Sequence, residues 1–216
     1  GKQLARALFA LGRLAAAGAS DRFSFPELGQ SGMPFPISGP FDGNSANTTV
    51  KIRDANGKVI AESPRVAIVS IPQNVVGPTN IAVQDNGTST SGNFRALKID
   101  LTAPKTSLLK GESTELHVEV QGLQGITQPV PVQLQNQTPS NINLNGGNTQ
   151  NIVIQPSQVT TGGTFNWSGT VTGTGAGGFN ITGTLPTTAG SPTSSPATKP
   201  TPTPTPSPTT NPRPVT

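Results

Sequence analysis

The chain has 216 residues, a formal net charge of +4 and only 11% charged side chains, so its polar surface is built from Thr, Ser, Asn and Gln. With no cysteine it has no disulfide framework, no thiolate metal site and no cysteine nucleophile. Hydrophobic residues at 31%, with 25 Gly and 22 Pro, suit short strands and many turns around one or two small cores.

Residues 1–21 carry Leu4, Leu8, Leu11 and Ala15 at helical spacing, with Lys2, Arg6 and Arg13 on the opposite stripe. Three readings of this amphipathic helix stay open. A signal peptide fits Lys2, the apolar run Ala7 to Leu11 and the small-residue site Ala17-Gly18-Ala19, although Arg13 interrupts the apolar region. A basic helix lying on a membrane or docking on a partner places Arg13 on the polar face, and makes Leu4, Leu8, Leu11 and Arg13 candidate assembly residues. The third reading is the last helix of an upstream region, for Gly1 and Val215-Thr216 read as the ends of a fragment or processed product. The segment is too short and too charged to span a bilayer.

Over residues 22–92 the pattern changes to short apolar runs between turns. Phe35-Pro36-Ile37-Ser38 leads to Gly39, Thr49 to Arg53 alternates, and Lys58 to Glu62 answers it across Asp54-Ala55-Asn56-Gly57. Asn-Gly supplies the positive-φ residues of a tight turn, so a hairpin is expected there. Arg65 to Ile71 is a β-branched run closed by Pro72, and Thr79 to Gln84 ends at a second turn, Asp85-Asn86-Gly87. Five or more strands in so short a stretch indicate a small sandwich.

Residues 93–186 form a second strand-rich unit. Leu116, Val118 and Val120 alternate with Glu115, His117 and Glu119, so one face is buried and the other wet. Further strands are expected over 97–101, 130–134, 151–154, 164–171 and 179–185, with Trp167 as a core or corner anchor. Residues 187–216 become Ser-Pro-Thr and Thr-Pro repeats, a Pro/Thr-rich linker that favours extended polyproline II, roughly 60 Å long from Pro196 onward at about 3.1 Å per residue.

The residues Ile37-Ser38-Gly39-Pro40-Phe41, Thr49-Val50-Lys51-Ile52, Val69-Ser70-Ile71-Pro72 with Gly77, and Ile81-Ala82-Val83 together resemble the IPT/TIG family of immunoglobulin-like domains over residues 25–87. The resemblance implies an early-set immunoglobulin sandwich without catalytic residues, in a family found in bacterial surface and secreted proteins, receptor ectodomains and some transcription factors. The stretch Leu108 to Leu116 resembles the opening strands of bacterial immunoglobulin-like repeats. The expected fold class is therefore all-β: two immunoglobulin-like β-sandwich modules, an N-terminal amphipathic helix and a disordered or extended Pro/Thr-rich tail.

Little chemistry is legible. The sole histidine, His117, shares an exposed strand face with Glu115 and Glu119, which reads as a solvated face rather than a hydrolytic base or a metal site. No pair of acids converges in a pattern that suits glycoside hydrolysis. Asp42-Gly43-Asn44 and Asp85-Asn86-Gly87 offer oxygen ligands for calcium, yet at no EF-hand or nonapeptide spacing, so turn formation accounts for them and no metal or cofactor is expected. The glycines from Gly173 to Gly178 lack the Lys-Ser/Thr of a phosphate loop. Asn47, Asn86, Asn136, Asn166 and Asn180 each begin an Asn-x-Ser/Thr sequon.

Nucleic acid is excluded as a partner, because the basic residues cluster in the first segment (Lys2, Arg6, Arg13, Arg22) and the tail (Lys199, Arg213) and leave the middle near neutral. The expected function is a non-enzymatic extracellular or cell-surface structural or adhesive module, with self-assembly into a filament through the N-terminal helix or strand edges as a variant. Its candidate partners are a second copy of the chain or other surface proteins. The alternative is an accessory carbohydrate-binding or spacer module of a larger secreted hydrolase, against which stands the lack of Tyr and the single Trp.

Overall fold

The computed structural model describes residues 22–186. The helix expected over 1–21, its residues Leu4, Leu8, Leu11 and Arg13, and the 187–216 linker lie outside the described residues.

The all-β expectation holds: the described chain is built of strands, with only two 3-10 turns at Ser45–Asn47 and Pro156–Gln158. In chain order the strands are β1 (Leu28–Gln30), β2 (Pro34–Ser38), β3 (Thr48–Ile52), β4 (Ala55–Asn56), β5 (Lys58–Glu62), β6 (Val66–Ser70), β7 (Gly77–Asp85) and β8 (Thr88–Thr102). They continue as β9 (Ser107–Leu108), β10 (Ser113–Gln121), β11 (Val130–Asn136), β12 (Ile142–Leu144), β13 (Thr149–Ile154), β14 (Phe165–Gly173), β15 (Gly177–Gly178) and β16 (Ile181–Thr184).

One large sheet runs in the order β12-β14-β10-β8-β7-β3-β4, with β1 parallel to β8. A three-stranded sheet β2-β6-β5 and another, β13-β11-β16, complete two sandwiches. Each has its own core. Phe23, Phe35, Ile37, Phe41, Ile52 and Val83 belong to the first, and Leu116, Val118, Leu134, Ile142, Ile154 and Val171 to the second.

The strand β8 joins them. Its first half pairs with β7 from Thr88 to Ala96, and its second half with β10 from Lys98 to Thr102. Phe94 and Ala96 enter the first core, whereas Leu97 enters the second, with Ile99 and Leu101 packed against it. Because side chains alternate along a strand, adjacent buried residues at Ala96 and Leu97 put the two cores on opposite faces of β8. The short strand β1 repeats the pattern: Leu28 packs on the second core, while a Cβ on Gly29 would sit 2.4 Å from Ile71 Cδ1, inside the first.

Between the cores, Arg95 donates from Nη1 to the carbonyls of Gly122 and Gln124, both at 2.7 Å, and Gln30 Nε2 reaches the Gly183 carbonyl at 3.0 Å. Burial lowers the Arg95 pKa below its ordinary value, and the two carbonyls satisfy a charge that is otherwise costly to cover.

The turn at Asp85 is a two-residue β7–β8 hairpin with Asn86 and Gly87 at φ 42° and 85°, as the Asn-Gly pair predicts. The other expected hairpin is not formed. β3 turns at Arg53, which has φ 58°, and pairs with β4 through Ile52↔Ala55, whereas β5 pairs with β6. Gly57 is where the chain crosses from one sheet to the other. Its N–H donates to Val50 O at 2.9 Å, and a Cβ there would lie 2.8 Å from Val69 Cγ1. This glycine therefore serves close packing and not a positive φ.

Candidate functional site

Three acidic residues distant in sequence meet at the end of the first sandwich remote from the second. Asp42 lies in the loop after β2, Glu62 ends β5 in the small sheet, and Asp85 ends β7 in the large one. One carboxylate oxygen from each lies within 4.8 Å of the other two. The three side chains pass from exposed through half-buried to buried, with Asp85 only 1% exposed.

The surrounding loop is shaped around them. Asp85 Oδ2 accepts from the Asp42 N–H at 2.7 Å; Asp42 accepts from the Asn44 N–H at 2.7 Å and from Asn47 Nδ2 at 2.6 Å; Glu62 Oε2 accepts from Thr48 Oγ1 at 2.6 Å. Two oxygens remain: Glu62 Oε1 and Asp85 Oδ1 are buried, and no donor among the described residues reaches either. The ion pairs Lys98–Asp100 and Lys105–Glu112 are elsewhere. Burial pushes the Glu62 carboxyl above its ordinary range, and Asp85 and Asp42 add to the rise, against the hydrogen bond from Thr48.

The residues singled out around His117 form a different kind of surface. β10 pairs with β14 through Glu115↔Thr170, His117↔Ser168 and Glu119↔Asn166. The imidazole nitrogens face Ser168 Oγ at 3.3 Å and Asn166 Oδ1 at 3.1 Å, and Glu119 accepts from Gln121. The histidine thus contacts neutral side chains on an open sheet face, and the nearby depression over Ser113–Glu115 and Ser168–Thr170 is shallow. Trp167 points the other way, half-buried against the second core.

Sequence reading found Asp42 and Asp85 only as separate turn residues and missed Glu62. The local pattern points the wrong way: Glu62 ends β5, where strict alternation would turn it outward, and the register shift between Val59 and Ala61 instead pairs it with the core residue Ala67.

No family model matches the chain, and no curated protein matches it. Solved structures do. The SGBP-B protein of the Bacteroides ovatus mixed-linkage glucan utilization locus, in complex with a mixed-linkage heptasaccharide, matches at 10% identity and TM-score 0.36, covering 74% of this chain and 51% of that one. Gamma-CGTase from alkalophilic Bacillus clarkii matches at 15% identity and TM-score 0.30, covering 77% and 26%. The Yersinia pseudotuberculosis adhesin InvE matches at 11% identity and TM-score 0.24, covering 78% and 61%. The chain thus spans about half the first of these and about a quarter of the second. At such TM-scores the likenesses carry no argument about function.

Proposed function

We propose that the chain is a non-enzymatic extracellular structural or adhesive module of a surface protein: two immunoglobulin-like sandwiches, divided as 22–92 and 93–186 in sequence, held as one stiff unit by β8. The observation that carries this reading is the unbroken fifteen-residue strand shared by both cores, which leaves no flexible linker between them. The IPT/TIG character proposed for the first sandwich has the support of its quoted residues: Ile37, next to last in β2, lies inside the core, Phe41 follows Gly39 into it, and Ile81 and Val83 alternate inward along β7. Carbohydrate binding by stacking has less support. Every aromatic side chain among the described residues is buried in a core or packed against one.

The absence of native cysteine gives a clean test. Spin labels on Thr49→Cys in the first sandwich and Ser157→Cys in the second, both exposed sites, should give one narrow distance distribution in pulsed dipolar spectroscopy of the 216-residue chain. A broad distribution would mean independently moving domains and would remove the spacer reading.

A further inference from the structure

We infer that Asp42, Glu62 and Asp85 form a calcium-binding site that ties the two sheets of the first sandwich together at its tip. The cluster is more than three nearby acids. Asp85 is 1% exposed and its Oδ1 has no donor among the described residues, and Glu62 Oε1 is buried in the same condition. A buried ionised oxygen without a partner is expensive, and either protonation or a cation relieves it. Three carboxylates within reach of one another, none of them in the Lys98–Asp100 or Lys105–Glu112 ion pair, favour the cation.

The donor set selects its kind. Three oxygens at most 4.8 Å apart share a centre no further than about 2.8 Å from each, within small side-chain shifts of the ~2.3–2.6 Å calcium–oxygen bond, and three protein carboxylates suit calcium better than magnesium, which keeps several of its waters. All ligands are hard oxygens, and no histidine or cysteine is present to favour zinc. Asp42 is exposed, so water completes the shell. The hydrogen bonds to Asp85 Oδ2 and Glu62 Oε2 fix the carboxylates with their other oxygens free.

The placement gives the ion a structural role. Glu62 belongs to the β2-β6-β5 sheet and Asp85 to the large sheet, so one ion bridges both layers and the 39–47 loop between them. Asp85 lies eight residues along β7 from Gly77, which packs beside Gly122 at the junction. At about 3.4 Å per residue the site is roughly 27 Å from that junction.

The test is titration of calcium chloride into the EDTA-treated, dialysed 216-residue chain, followed by isothermal calorimetry and thermal melting. Saturable binding with a Kd on the order of 10⁻⁴–10⁻³ M, as in other extracellular calcium modules, is expected. At 10 mM calcium the melting midpoint of the first sandwich should rise by on the order of 5 °C, with a smaller rise for magnesium chloride. Glu62→Gln and Asp85→Asn, each isosteric, should both lose the shift. Glu62 is only half-buried, so its variant still reports if Asp85→Asn fails to fold. Absence of saturable heat with identical melting in calcium and EDTA would overturn the site, as would a full calcium shift retained in Glu62→Gln.

Discussion

Replacing Gly122 with alanine is expected to destabilise the chain by roughly 3 kcal/mol, more than a positive φ alone explains. Gly122 sits at φ 93°, and a Cβ on it would lie 2.6 Å from the Ala96 carbonyl oxygen and 2.8 Å from the Gly77 nitrogen. Both are backbone atoms of strands in the first sandwich, so no side-chain rotation relieves the contact. The two backbones must separate, and with them the pair of hydrogen bonds from Arg95 to Gly122 and Gln124. Gly111 provides the control: it has φ 83° and nothing within 4 Å of a built Cβ. Gly111→Ala should cost only the left-handed strain, about 1–2 kcal/mol. Urea unfolding of the two variants measures the difference, and dipolar spectroscopy on the labelled chain should show broadening for Gly122→Ala alone. Equal losses of stability would mean that the sandwiches do not meet at Gly122.

The second large effect is expected at Asn136, which is 5% exposed and has its amide satisfied on every side. Its Nδ2 donates to the Ile142 carbonyl at 2.7 Å and to Asn148 Oδ1 at 3.1 Å, and its Oδ1 accepts from the Thr138 N–H at 2.9 Å and Oγ1 at 3.3 Å. These bonds hold the turn between β11 and β12 to the following one. Asn136→Leu leaves the buried Ile142 carbonyl without this donor, at about 1–3 kcal/mol, and takes the acceptor from the half-buried Thr138 N–H at a smaller cost. Asn136→Asp keeps the shape but aims an acid at the Ile142 carbonyl. Burial should raise the folded-state pKa of that acid, so the native state holds the extra proton and stability falls as pH rises from the unfolded value through the folded one. Chemical denaturation of both variants at two pH values checks this: pH-independent loss in Asn136→Asp would show that water enters the site. The same geometry removes Asn136 as a glycan acceptor in the folded chain, whereas Asn47, Asn86, Asn166 and Asn180 are exposed.

Alternation and turn chemistry made much of this fold legible. The β-branched run from Val66 to Ser70, the alternation from Leu116 to Val120 and the Asp85-Asn86-Gly87 turn all form as the residues predict. Asn56-Gly57 misleads because a turn signal and a close-packing glycine look alike in one dimension: only the position of Val69 distinguishes them. Leu28–Gln30 and Ile142–Leu144 were missed as strands because three residues are too few to show a period. The carboxylate cluster was hidden for another reason. Asp42, Glu62 and Asp85 lie on a loop and on strands of two different sheets, so their meeting follows from the packing of those sheets and leaves no local spacing to recognise.

The shared strand also sets the smallest piece of this chain that can be inherited or exchanged. A break anywhere from Thr88 to Thr102 would strip sheet from one sandwich or from both, since β7 depends on the first half of β8 and β10 on the second. Recombination that shuffles single immunoglobulin-like units along a longer polypeptide must therefore carry this pair together, with its relative orientation already fixed.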